Sequence, residues 1–283
     1  MKLINIFSKL MVSSLFALTI IFSTFFNSAM AVDSQHSEVA FSDKWMLRLG
    51  TYLVDGADTQ FRVSSDVGGL GTVIDYSRDL GGESGDTIPR IDAYYRFNPR
   101  HRIDFTSFSI DRKGTRTVDI DPPIVIDGED YAGGTLNSDI KYTLYKLGYA
   151  YSFYHSPKVE LSFTAGLNMT SYDLSFESNT GVVAKKSSVT APLPMFGLRM
   201  GYAITPKWSV NYLAESFFIE IEDTFKGALV NYELNTEYRL FRNFAIGAGL
   251  ARIGSSLKVN DPEWKGSVSD SYRGYTLFGT FYF

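Results

Sequence analysis

The chain of 283 residues contains no cysteine. That excludes a disulfide framework, a thiolate metal site, a catalytic thiol and a lipid anchor on an N-terminal cysteine. Histidine and tryptophan are scarce, at three each. Positive charge is not in excess: 27 Lys and Arg against 31 Asp and Glu leave a formal −4, which indicates no basic surface for nucleic acid. Beyond residue 31 no apolar run is long enough for a membrane-spanning helix. No Walker, Rossmann or zinc pattern is present. The chain has instead 18 Tyr, 22 Phe and 24 Gly, which suit twisted strands better than helical bundles.

Residues 1–31 have the organisation of a signal peptide. Lys2 and Lys9 supply a basic start, Leu10 to Phe26 is apolar, and Ser28-Ala29-Met30-Ala31 ends in a small-x-small cleavage pattern. Cleavage after Ala31 takes the formal charge from −4 to −6. An uncleaved anchor is the alternative, because the apolar run is long for such a peptide. Residues 32–42 are polar and form a periplasmic lead-in.

From residue 43 onward, apolar and polar residues alternate with period two, which sorts them onto opposite faces of strands. Val159, Leu161, Phe163, Ala165, Leu167 and Met169 oppose Glu160, Ser162, Thr164, Gly166 and Asn168. Val230 to Leu240, Tyr145 to Phe153 and Arg90 to Phe97 repeat the pattern. Soluble sandwiches alternate too, so three further features decide. Several segments exceed ten residues, where soluble strands run about 5–6 and tilted membrane strands about 9–11. Tight turns at Asn98-Pro99-Arg100, His155-Ser156-Pro157, Thr205-Pro206-Lys207 and Phe241-Arg242-Asn243 are separated by longer polar connections. Aromatics gather beside those turns, among them Tyr95, Phe97, Phe153, Trp208, Tyr238 and Phe244, as an interfacial girdle requires.

The last residues alternate and stop on Phe283. Here the sequence resembles bacterial outer-membrane barrels, whose final strand carries a signal for the barrel-insertion machinery; Tyr275, Leu277, Phe281 and Phe283 match it. By architecture and terminus the chain is similar to small monomeric barrels of the OmpW and OmpA transmembrane-domain type. The resemblance implies a bacterial outer-membrane location, lipid and lipopolysaccharide as surroundings, and a monomer.

The expected fold is all-β: a closed, antiparallel up-and-down transmembrane barrel over residues 43–283 with about ten strands, short periplasmic turns and long extracellular loops. Eight or twelve strands are the alternatives. Gln60–Val63 and Gly71–Tyr76 suggest an extracellular hairpin, since Asp75, Arg78 and Asp79 are costly beside lipid. The inward faces should carry Arg48, Arg90, Asp92, Arg96, Lys146, Glu160, Arg199, Glu233, Glu237 and Arg239. Paired across a narrow lumen they would close it; lining water they would make a narrow pore.

Barrel enzymes such as omptin proteases and lipid A acyltransferases use a histidine in the outer half. His36 lies in the lead-in, and His101 and His155 lie at tight turns, so no enzyme is expected. Neither a metal nor a cofactor is called for; the acidic stretch Asp119–Asp130 lacks EF-hand spacing. Two functions follow: a narrow pore or lateral route for small solutes, or an envelope-integrity barrel; and, from another class, a surface-binding or adhesion barrel acting through Gly114–Asn137 and Val259–Asp270.

Overall fold

The computed structural model describes residues 42–63, 74–82, 85–118, 124–126, 129–131, 134–178, 185–221, 224–260 and 265–283. The signal peptide and most of the lead-in lie outside the described residues. The elements are β1 (Trp45–Val63), β2 (Ile74–Asp75), α1 (Tyr76–Leu80), β3 (Asp86–Asn98), β4 (His101–Val118), β5 (Ile124–Ile126), β6 (Glu129–Tyr131), β7 (Gly134–His155), β8 (Val159–Ser178), β9 (Lys185–Ala203), β10 (Trp208–Ile221), β11 (Phe225–Phe241), β12 (Phe244–Asn260) and β13 (Lys265–Tyr282). All pairings are antiparallel. The main sheet runs β13-β12-β11-β10-β9-β8-β7-β4-β3-β1-β2, and β13 also pairs with β1 from Met46↔Tyr282 to Val63↔Gly266. The long strands therefore form a ring of hydrogen bonds, with β2 a short addition to β1. Trp45 and Phe283 exchange backbone hydrogen bonds at 3.0 Å where the ring meets.

The alternating segments Arg90–Phe97, Tyr145–Phe153, Val159–Met169 and Val230–Leu240 all lie within strands that run further at the long-connection end. β1 continues through Gln60–Val63, and β12 and β13 extend through most of the expected Val259–Asp270 loop. β4 reaches Val118 and β7 starts at Gly134, with the β5–β6 hairpin between them, so Gly114–Asn137 is largely strand as well. The Gln60–Tyr76 hairpin forms through Gln60↔Asp75 and Phe61↔Ile74. Its second arm soon turns helical: Asp75 caps α1 by accepting from the Arg78 amide at 3.0 Å, and Gly81, at φ 67°, ends it in the left-handed region. Arg78 donates to Asp79 at 2.9 Å and holds that carboxyl below its usual range.

The two faces explain the strand lengths. Nearest the short turns the outward residues are large and apolar: Trp45, Leu47 and Leu49 on β1, Phe281, Leu277 and Tyr275 on β13, Phe163, Leu167 and Met169 on β8, all exposed. Such a continuous belt is costly in water and compatible with hydrocarbon. Further along each strand the apolar set changes sides. β8 passes from outward Met169 to inward Tyr172, Leu174 and Phe176, and β7 from outward Tyr145 to inward Leu144, Tyr142 and Ile140. Outside, at that height, stand charges, as in the cross-strand row Asp111–Lys141–Asp173. The barrel thus has a belted lower half and an upper half built like a water-soluble barrel with its own core.

The wall is incomplete at one seam among the described residues. β9 pairs with β10 only from Ala203↔Ser209 to Phe196↔Ser216, although both strands continue. The cause is in the sequence. Ala203 donates its amide to Lys158 on the β8 side, and Ile204 donates to Trp208 on the β10 side. Alternation then points the amides of even-numbered β9 residues at β10. Pro194 and Pro192 occupy the next two such positions and have no N–H to give.

Candidate functional site

The lumen is the only place where buried charges from distant strands converge among the described residues. Its lower tier is ionic. Arg90 on β3 donates to Asp92 on its own strand at 2.9 Å and to Glu233 on β11, across the lumen, at 2.7 Å. Arg48 on β1 reaches Glu237 on β11 at 3.1 Å. Arg96 on β3 makes a bidentate pair with Glu160 on β8 at 2.8 and 3.1 Å, and Ser152 donates to the same carboxylate at 2.5 Å. Lys146 on β7 pairs with Glu215 on β10. Arg239 pairs with Asp43 at 2.6 Å. The strand pairs β3–β11, β1–β11, β3–β8 and β7–β10 joined by these ion pairs are not adjacent in the sheet, so those side chains bridge the lumen. Gly197 provides room: a Cβ there would lie 2.7 Å from Glu215 Cγ.

Within this tier, and reaching towards the short turns, lies a cavity of about 120 Å³ whose lining includes Arg96, Arg102, Asp104, Arg199 and the turn residues Thr205–Lys207. Two voids of about 10 Å³, each about the size of one water, lie further up among the described residues.

The upper tier is apolar and aromatic. Tyr142 on β7 stacks with Tyr172 on β8 at 5.0 Å and meets Tyr272 on β13 across the lumen at 5.8 Å. Phe61 on β1 meets Phe176 on β8 at 5.4 Å. Tyr76 and Leu80 of α1 are fully buried on top, and the Tyr76 hydroxyl donates to the Arg112 carbonyl at 2.7 Å. The Arg112 guanidinium lies 4.8 Å from the Tyr76 ring and donates to Thr59 at 2.6 Å and Ser77 at 3.1 Å, which ties α1 down. A second apolar group, Ala191, Leu193, Met195, Leu229 and Leu257, sits behind the unpaired stretch of β9.

A ring of long antiparallel strands with an apolar belt outside and charges inside decides the fold. The chain has the fold of outer-membrane β-barrels. The outer membrane protease OmpT of Escherichia coli superposes with a TM-score of 0.50 at 10% identity, over 89% of this chain and 100% of that one. Ail, the attachment invasion locus protein of Yersinia pestis, aligns at 11% identity and a TM-score of 0.37 over 84% and 99%. OprG of Pseudomonas aeruginosa aligns at 11% identity and 0.30 over 86% and 96%. No protein-family model and no curated protein sequence matches the chain.

In this barrel all ten residues placed inward from the sequence line the lower cavity together: Arg48, Arg90, Asp92, Arg96, Lys146, Glu160, Arg199, Glu233, Glu237 and Arg239. Sequence reasoning missed Arg102, Asp104 and Glu215. Arg102 and Asp104 flank the outward Ile103 and carried the right period; Glu215 lies on a strand apolar on both faces, where no period shows. Tyr275, Leu277 and Phe281 face outward, and Phe283 is exposed beyond the last strand. His101 and His155 stand at the short-turn end; His155 lies 3.7 Å from Glu160. His36 and Asp119–Pro123 lie outside the described residues. No cluster of His, Asp and Glu that could hold a metal occurs among the described residues.

Proposed function

We propose that this protein is an integral barrel of the bacterial outer membrane, exported by its signal peptide, whose lumen is closed along its axis and which serves envelope integrity instead of free diffusion. The ten long strands cross the membrane by their belted lower halves, with the short turns in the periplasm. The observation that carries the reading is the two-tier lumen: cross-lumen ion pairs below, a packed aromatic layer capped by α1 above. Hydrated ions crossing it would have to displace buried aromatics and break paired charges, each costing several kcal/mol. The reading involves no catalytic step, metal or cofactor. A monomer suffices for it.

Its partners are the insertion machinery, through Tyr275–Phe283, and the outer-leaflet lipids. Arg252 stands directly opposite Arg273 at the upper rim of the belt, with Asp55 3.8 Å from Arg273 as the nearby carboxylate. Like charges opposed across strands repel, and lipopolysaccharide phosphates at that height would offset the repulsion. Planar-bilayer recording of the folded chain tests closure: a silent barrel is expected, and reproducible discrete steps would overturn it.

A second reading rests on the β9–β10 seam. It opens at the level of exposed Phe196 and Phe218 and backs onto Leu193, Met195 and Leu229. A small apolar solute could enter sideways from the outer leaflet. Extending the register sets Pro194 opposite Phe218, and the chain has no other cysteine to interfere. Oxidising a Pro194→Cys/Phe218→Cys pair should abolish energy transfer from the interior tyrosines to a small apolar dye. Unchanged transfer after complete cross-linking contradicts lateral entry.

A further inference from the structure

We infer that the lower cavity holds a specific site for one small, phosphate-sized oxyanion, entered from the short-turn end and centred on Arg102 and Arg199. Arg102 Nε lies 3.0 Å from Asp104 Oδ1, and Arg199 Nη2 lies 3.6 Å from the same oxygen. Two guanidinium groups therefore share one carboxylate at ion-pair distance, with Glu160 acting on Arg102 and Glu215 and Glu233 on Arg199 from further off. Three other buried cations of the lower tier differ. Arg96 has Glu160, Arg90 has both Asp92 and Glu233, and Lys146 has Glu215.

The donors are also spare. Nη2 of Arg102 and Nε of Arg199 are buried without a hydrogen-bond acceptor among the described residues. Arg102 is 6% exposed, and its guanidinium lies 4.7 Å from the Tyr94 ring, which fixes its plane. Both arginines line the 120 Å³ cavity, together with Thr205, Pro206 and Lys207 of the turn at its mouth.

The chemistry follows from the donor set. A guanidinium presents parallel N–H groups that match the oxygens of a phosphate or carboxylate, and is less strongly hydrated than an ammonium. Buried unpaired N–H groups are costly, and an oxyanion satisfies them. Asp104 sets the limit. It neutralises part of the pair, so a neutral polar molecule gains nothing from the charge, and a large polyanion would meet Asp104, Glu160 and Glu233 lining the same cavity. The site needs only the folded barrel, whether or not the lumen conducts.

The test uses the full-length exported chain, purified folded in detergent micelles, and inorganic phosphate as the probe. Phosphate replaces chloride at constant ionic strength while binding is followed by calorimetry and by the temperature of the heat-dependent gel shift. The wild type should bind about one phosphate saturably and gain thermal stability. Arg199→Gln should weaken binding by roughly ten-fold or more, since a charge-assisted donor is lost. Arg199→Lys, which keeps the charge but not the fork, should fall between them. Arg78→Gln, an exposed side chain of α1 at the far end of the barrel from the cavity, should bind as the wild type does. No saturable binding by the wild type overturns the proposal, and so does equal binding by a folded Arg199→Gln variant.

Discussion

At the scale of single residues, the lumen charges differ sharply in what they contribute. Glu160 accepts from both terminal nitrogens of Arg96 and from Ser152, and is 4% exposed. Removing it leaves a buried guanidinium without its partner. Glu160→Ala should therefore cost about 3–5 kcal/mol, the range for breaking one side of a buried pair, read as a lowered urea midpoint. Arg273 and Asp55 stand 3.8 Å apart on the outside with most of both side chains exposed. Arg273→Ala should leave the midpoint within about 0.5 kcal/mol of wild type, as exposed pairs do in solution. An equal loss in both variants would mean that the lumen is hydrated like a surface. The ten inward charges were legible because charged residues recur every second position beside outward Ile91, Tyr145 or Leu234. Glu215 was not, since Leu213 and Phe217 flank it on its own face and Ala214 and Ser216 carry no contrast.

At the scale of elements, the strand is not one pattern but two in opposite phase. In β8, the outward set Phe163, Leu167 and Met169 gives way to the inward set Tyr172, Leu174 and Phe176. Period-two alternation survives the change, so strand existence was readable throughout. Which face is apolar was readable only in the belted half, because the sequence does not mark where the outer solvent changes. The same inversion disguised the upper strands as loops: polar outward residues such as Ser267, Ser269 and Ser271 look like loop composition. α1 was hidden for another reason, since five residues cannot show a helical period and its fixing contacts come from Arg112 on β4. Asp75→Ala should loosen α1 by about 1 kcal/mol, the usual worth of an N-cap, seen as faster amide exchange at Arg78. The seam offers a sharper test. Replacing Pro192 and Pro194 by valine restores two amides aimed at β10, and the Phe218 and Glu220 amides should then become protected from exchange. Protection already present in the wild type would mean that the seam is zipped.

At the scale of the whole molecule, the barrel combines two environments on one continuous set of strands. Its lower half is apolar outside and ionic inside; its upper half is charged outside and apolar inside. Each half satisfies a different solvent, and the ring of hydrogen bonds through β1 and β13 removes the edges that lipid would not tolerate. The aromatic layer at the junction is what separates a closed barrel from a pore. It joins strands that the sheet does not make neighbours, as Tyr142 meets Tyr272 and Phe61 meets Phe176. Trimming Tyr142 and Phe176 to alanine would open space there, and any conductance the barrel can support should appear first in that variant. The most direct measurement is single-channel recording of the folded wild-type chain in a planar lipid bilayer, beside the Tyr142→Ala/Phe176→Ala variant. Closure predicts no steps from the wild type and discrete steps from the variant. Reproducible steps from the wild type, with the barrel shown folded by its heat-dependent gel shift, would contradict it.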